Sequence, residues 1–258
     1  MKRAFFTTIL MLFVLAVSVK SESVSELITK GDEAYEKYDH KKALELFLKA
    51  HEAEPKNWEV LWRLSRTYVD LAENMKADTD EEKDKQLAQY SVAKEYADMA
   101  IEIEPNKSIN YVRRSIALGR VALFKGVFSV SSVVDSVKND CEKAISLGNG
   151  GSYVQGVAHY ILARTHAKLA EKPSFVRWPL GLGWGDIDVA LKEFEKAIKL
   201  YPDFVMFYFD YAKALISEDE YEKAREMLNK AISSTVKDED DPKLKKEAKA
   251  LLEEIKNE

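Results

Sequence analysis

The chain has 258 residues with 39 basic and 44 acidic side chains, a net charge of −5, and only 10 Gly and 6 Pro. So few turn-formers argue against a turn-rich β fold, and a 46% hydrophobic, 32% charged composition suits amphipathic helices that share one elongated core or two compact ones. The acidic balance argues against nucleic acid as a partner, and a single cysteine, Cys141, excludes a disulfide framework.

Lys2 and Arg3 precede an apolar run, Ala4 to Val19, broken only by Thr7, Thr8 and Ser18. The run is short of the roughly 20 apolar residues a membrane span needs, and it fits the apolar region of an export signal, with Ala16 and Ser18 or Val19 and Ser21 at the small positions before cleavage. Residues 1–21 are therefore expected to be a signal peptide, or an N-terminal anchor if retained. Residues 22–258 would then be a periplasmic or secreted domain, membrane-anchored in the second case. No Cys follows the run, so a lipoprotein is excluded.

The rest of the chain repeats. Ala190, Phe194 and Ala197 recur 34 residues on as Ala224, Leu228 and Ala231, the period of tetratricopeptide helical hairpins. Small Ala side chains let helices approach closely while the large residue between them fills the gap. On this ruler Val24 to Pro55 is a first unit, with Gly31, Ala43, Phe47 and Ala50 in register and Asp39 and His40 in its turn. The second unit begins near Trp58; its Ala93 stands 16 residues beyond the in-frame position 77, the excess ADTDEEKDKQLAQ reading as a solvated loop or a helix extension. The third has a first helix from about Ile109 to Lys125, an apolar stretch GVFSVSSVV that either extends a helix or forms a loop, and a second helix DSVKNDCEKAISL ending at GNGG. Cys141 takes an apolar position on that helix, so a buried, inert thiol is expected. The fourth has a helix from Gly156 to Ala170, the insertion EKPSFVRWPLGLGWG, and a second helix from Asp186, a plausible N-cap. The fifth carries no insertion. A closing helix follows, with Leu244, Ala248, Leu251, Leu252 and Ile255 on one stripe and a wet outer face, as a terminal cap requires. The expected fold class is an all-α, right-handed superhelical solenoid of about five hairpins plus a cap.

With the units placed, LWRLSRTYVDLAE at 61–73, the stretched third unit with DCEKAISL, the Trp-containing insertion before DVALKEFEKAIKLYPDF, and the closing VKDEDDPKLKKEAKALLEEI resemble the regulator of microtubule dynamics family, helical-repeat proteins related to tetratricopeptide arrays. The resemblance covers most of the chain beyond residue 21. It implies a binding module, some members being associated with microtubules and others with membrane contact sites and lipids. The apparent export signal departs from that setting, so the microtubule role is not expected here.

The resemblance also implies that the first helix of each unit lines the concave surface, through residues three or four apart that share a face. The candidate groove is then Trp62, Arg66, Val112, Ile116, Arg120, Tyr160, Arg164, Lys168, Phe209 and Lys213, with Ile28, Asp32, Tyr35, Glu36, Asp70, Ile109 and Met206 beside them. Basic groups among aromatics suit a protein or peptide partner with acidic groups, or alternatively an anionic lipid or amphipathic small molecule. The same residues would also serve as ordinary cross-helix and core side chains. Phe175, Val176, Trp178, Leu180, Leu182 and Trp184 in the fourth-unit insertion are too apolar for a plain solvated loop. They are expected to form a lid over the groove, a docking patch or a local core. No catalytic constellation stands out. His159 and His166 share a helix face at roughly 10 Å, too far apart for one ion. GLGWG lacks the strand and the GK[ST] of a phosphate loop, and Asp186 with Asp188 lacks the further ligands of a calcium loop. No enzyme activity, cofactor or metal is expected.

Overall fold

A computed structural model describes residues 22–126 and 129–258. The expected signal at 1–21, and Val127 and Phe128 of the apolar connection, lie outside the described residues. Those described form twelve α-helices and no strand. Helices α1 (Val24–Glu36) and α2 (His40–Ala53) make the first hairpin, α3 (Trp58–Glu73) and α4 (Asp80–Ile103) the second, and α5 (Ser108–Lys125) and α6 (Ser131–Leu147) the third. Helix α7 (Gly151–Ala170) pairs with α9 (Ile187–Leu200) around the one-turn α8 (Ser174–Arg177), then α10 (Val205–Ile216) pairs with α11 (Tyr221–Ser233), and α12 (Asp241–Glu254) closes the row. Each helix packs on its hairpin partner and on the next hairpin, as stacked units that cannot cover their apolar faces alone must do.

The repeat residues are the packing contacts. Ala43, Ala93, Ala144, Ala190 and Ala224 are fully buried, where a larger side chain would hold the paired helices apart. At Gly31 the approach is closer still: a Cβ would stand 2.4 Å from the Phe47 ring. Local chemistry sets the helix starts. Ser23 with Glu26, and Thr79 with Glu82, form reciprocal capping boxes, while Asp39, Asn57 and Asp186 accept from backbone N–H groups of the first turn. Thr79 thereby settles the second-unit excess as a helix extension, because α4 starts at Asp80. Helix α7 starts at Gly151, five residues ahead of the expected Gly156, the left-handed Gly148 and Gly150 having turned the chain.

Ion pairs stitch the first hairpin to the second, the second to the third and the fourth to the fifth. Asp32 on α1 binds Arg63 and Arg66 on α3; Glu73 on α3 pairs with Arg120 on α5; Asp210 on α10 takes Arg164 on α7 at 3.1 Å. Cys141 is fully buried and burial pushes its thiol up, which makes it inert. His159 bonds Glu193, and His166 Nδ1 accepts from the Asp186 N–H, so both imidazoles have structural partners.

Candidate functional site

The concave sides of α1, α3, α5, α7 and α10 enclose a trough of about 820 Å³, within the range of cavities that bury most of a ligand. Of the sequence-predicted groove residues, Arg66, Ile116, Arg120, Tyr160, Arg164, Lys168 and Lys213 line it, together with Tyr35, Glu36, Asp70 and Met206. Trp62, Val112 and Phe209 do not, nor do Ile28, Asp32 and Ile109 beside them. Val112 and Phe209 are packed into the main core, where burial of an aliphatic or aromatic side chain is worth more than a place on an open wall. Trp62 lies off the trough as a bed for cations: Arg63 sits 4.2 Å, Arg66 5.2 Å and Arg113 5.6 Å from its ring.

The expected basic inner surface is largely neutralised. Arg66 is held by Asp32, Arg120 by Glu73, Arg164 and Lys213 by Asp210, and Lys168 by Glu171. The resemblance, supported by helical spacing, placed the cations; it did not reveal that a carboxylate, mostly from a neighbouring helix, meets each one. Tyr160 donates to Asp210 at 2.7 Å, and Tyr35 donates to Asp70 at 2.5 Å with the Arg66 guanidinium 3.4 Å above its ring. Burial pushes the carboxyls of Asp70 and Glu73 up, Glu73 to about 7 in spite of Arg120 beside it. Between the charges run Ile116, Leu123, Val157, Ile161 and Met206, so the wall alternates oily and polar patches.

Of the insertion, Glu171 borders the trough, whereas Phe175, Trp178, Leu180, Leu182 and Trp184 do not. Its two halves separate. Leu182 is fully buried and Trp184 half-buried against Ala122, Val134 and Leu169, and the Trp184 indole donates to Asp135 at 2.8 Å. Phe175 and Trp178 remain 76% and 75% exposed. Arg177 holds the segment in shape by donating to the carbonyls of Lys172 and Gly185, while Gly183 leaves room for the Trp178 ring.

Three features were missed in the sequence. The acidic segment 238–240, ahead of α12, reaches the first two hairpins: Glu239 meets His40 at 3.0 Å and Asn74 at 3.3 Å, so the last units close against the first across one mouth of the trough. Gly119, in mid-α5, faces the trough with nothing within 4 Å of where a Cβ would stand. Arg113 also lines it. The Arg113-Arg114 pair was the available signal, because adjacent helical residues point about 100° apart. Arg114 turns outward to Asp98 and Asp140, leaving Arg113 to face in.

Comparison with known proteins agrees with this architecture. A thermophilic tetratricopeptide protein from Thermus thermophilus superposes with a TM-score of 0.62 at 18% identity, covering 88% of this chain and all (100%) of that one. The type IV pilus biogenesis factor PilW superposes at 0.58 with 13% identity, over 90% of this chain and 92% of its own. At such identities the likeness concerns the fold alone. In sequence, the chain is 27% identical over 194 residues to Regulator of microtubule dynamics protein 1 of Mus musculus, a match that takes in 73% of this chain and 60% of that relative's length. The family model described as Regulator of microtubule dynamics protein 1-3 matches residues 27–256. That match runs from the first hairpin into the closing helix, and the chain belongs to the regulator of microtubule dynamics protein 1-3 family.

Proposed function

We propose that this protein is a non-catalytic binding module whose concave trough takes a segment of a protein partner. The observation that carries this reading is the trough itself, about 820 Å³ walled by five helices with oily patches set between fixed charges. Such a wall suits an extended segment that carries both apolar and charged side chains. Most of its charged groups are paired with one another rather than poised around a reacting atom, which favours recognition over chemistry. The basic N-terminus and short apolar run favour an exported setting, periplasmic, secreted or anchored, in which the microtubule association in the mouse relative's name would have no counterpart. The acidic balance weighs against nucleic acid.

A second reading, a carrier or sensor of an anionic amphipathic ligand such as a lipid, draws support from the 238–240 segment, which encloses one mouth of the trough. One pair of measurements tests both. Native mass spectrometry of the purified chain detects a retained small molecule or peptide. Gly119→Trp adds an indole on the trough side of α5, at a position where a Cβ meets nothing within 4 Å. The expected result is a folded variant of unchanged melting temperature that has lost its bound species and its partner; undiminished binding by Gly119→Trp would remove the trough from the account.

A further inference from the structure

One cation at the N-terminal end of the trough makes no ion pair among the described residues. Arg113 is 8% exposed, and its Nε is buried without a hydrogen-bond partner. Every other described arginine holds a carboxylate or a backbone carbonyl: Arg63 and Arg66 share Asp32, Arg114 has Asp98 and Asp140, Arg120 has Glu73, Arg164 has Asp210, Arg177 has Gly185 O, and Arg225 has Glu222. Around Arg113 stand two more guanidiniums, those of Arg63 and Arg66, all three within 5.6 Å of the Trp62 ring. Asp32 answers the first two. Asp70 is the remaining acid acting on Arg113, but it accepts the Tyr35 hydroxyl, and burial favours its neutral form. Glu59 also stands 3.8 Å from Arg63, so of the three guanidiniums Arg113 alone is left without an ion pair among the described residues. A buried cation left unpaired is strongly unfavourable. Were Arg113 there only to fill space, an aliphatic side chain of similar length would do so without that cost.

We propose that Arg113, with Arg66 beside it, is an anion subsite of the trough that holds a carboxylate or phosphate group of the bound partner. This rests on the reading of the trough as the binding surface and adds the chemistry of what it recognises. A guanidinium presents a planar fork that meets two oxygens of either anion at once. Trp62 and Tyr35 hold Arg63, Arg66 and Arg113 together by their ring faces, so the positive charge is assembled before a ligand arrives. The half-buried Arg66, with its Nε also unpartnered, supplies a second donor toward the same end of the trough.

The test is the melting temperature of the full chain titrated with inorganic phosphate, and separately with an acetylated tri-glutamate peptide, at ionic strength held constant with sodium chloride. The wild type is expected to rise in melting temperature with one or both anions beyond the chloride control. A response to phosphate alone points to a phosphate-bearing ligand, and a response to the peptide alone to an acidic protein segment. Arg113→Met is expected to melt no lower than wild type without anion, since it removes an unpaired buried charge, and to weaken the apparent anion affinity at least tenfold. Arg113→Lys, which keeps the charge and loses the fork, should fall between. A lower melting temperature of Arg113→Met in chloride, with its anion response intact, would make Arg113 a packing residue and overturn the proposal. So would a wild type that answers neither anion. Gly119→Trp separates the two levels: a partner lost by Gly119→Trp and kept by Arg113→Met removes the subsite and leaves the trough reading, whereas a partner kept by both removes both.

Discussion

Two glycines show how one residue type meets opposite demands along the same row of helices. At Gly31 an added methyl would press into the Phe47 ring at 2.4 Å, so Gly31→Ala must push α1 off α2. Overpacking of this kind costs about 1–3 kcal/mol, and the variant is expected to unfold at correspondingly lower urea concentration. Gly119 meets nothing, and as a mid-helix glycine it leaves α5 about 1 kcal/mol short of alanine. Gly119→Ala should therefore raise the melting temperature by roughly 2–4 °C for a domain of this size. The sequence marks Gly31 because the repeat register demands a small residue there; Gly119 has no register position, and only the open trough explains it. The charges divide the same way. The family resemblance, supported by helical spacing, placed Arg66, Arg120, Arg164, Lys168 and Lys213 on the concave side, where all five line the trough. The pairing of Arg66 with Asp32, Arg120 with Glu73 and Arg164 with Asp210 depends on how hairpins stack, which no single helix pattern records, whereas Lys168–Glu171 and Lys213–Asp210 are neighbours three residues apart.

At the scale of elements, the five hairpins and the cap were legible because small and large apolar residues recur at a fixed period, with Asp186 marking one helix start by its cap. The fourth-unit insertion has no such period, and its apolar residues divide without a pattern that could be read ahead: Leu182 goes into a local core with Leu169, while Phe175 and Trp178 stay outside. What fixes that division is Arg177, buried between the Lys172 and Gly185 carbonyls. Arg177→Ala leaves both carbonyls without that donor. Amide hydrogen exchange is expected to quicken across 172–186 in this variant while α10 and α11 keep wild-type protection. Exchange that quickened evenly along the chain would instead make the insertion part of the global folding unit.

For the whole molecule, the decisive feature is closure. Because the 238–240 segment reaches His40 and Asn74, the row of hairpins forms a trough with one mouth bridged by the ends of its own chain. The bridge brings like charges together: Glu73 faces Arg120, Asp70, Asp238 and Asp240, and burial lifts the carboxyls of Asp70, Glu73 and Asp238 alike. For an acid whose folded value is raised, the folded state keeps a proton that the unfolded chain releases, so stability falls as pH rises between the two values. For Glu73 that window runs from its ordinary 4.5 to about 7. The melting temperature is expected to decline across it and level off above, and Glu73→Gln should flatten the decline. A melting temperature that climbed through this window would contradict the burial of these groups. The closure was invisible in the sequence because it joins residues 199 positions apart, beyond any local pattern.

The claim on which the functional account depends is that partners enter the concave side. Leu123 is exposed within the trough, and Met99 is exposed on α4 outside it. A photo-crosslinking amino acid placed at each of these positions in turn, in cells that make the protein, reads which face meets a partner. The account predicts a discrete adduct from position 123, abolished by Gly119→Trp, and none from position 99. An adduct from position 99 alone would place recognition on the convex side and contradict it.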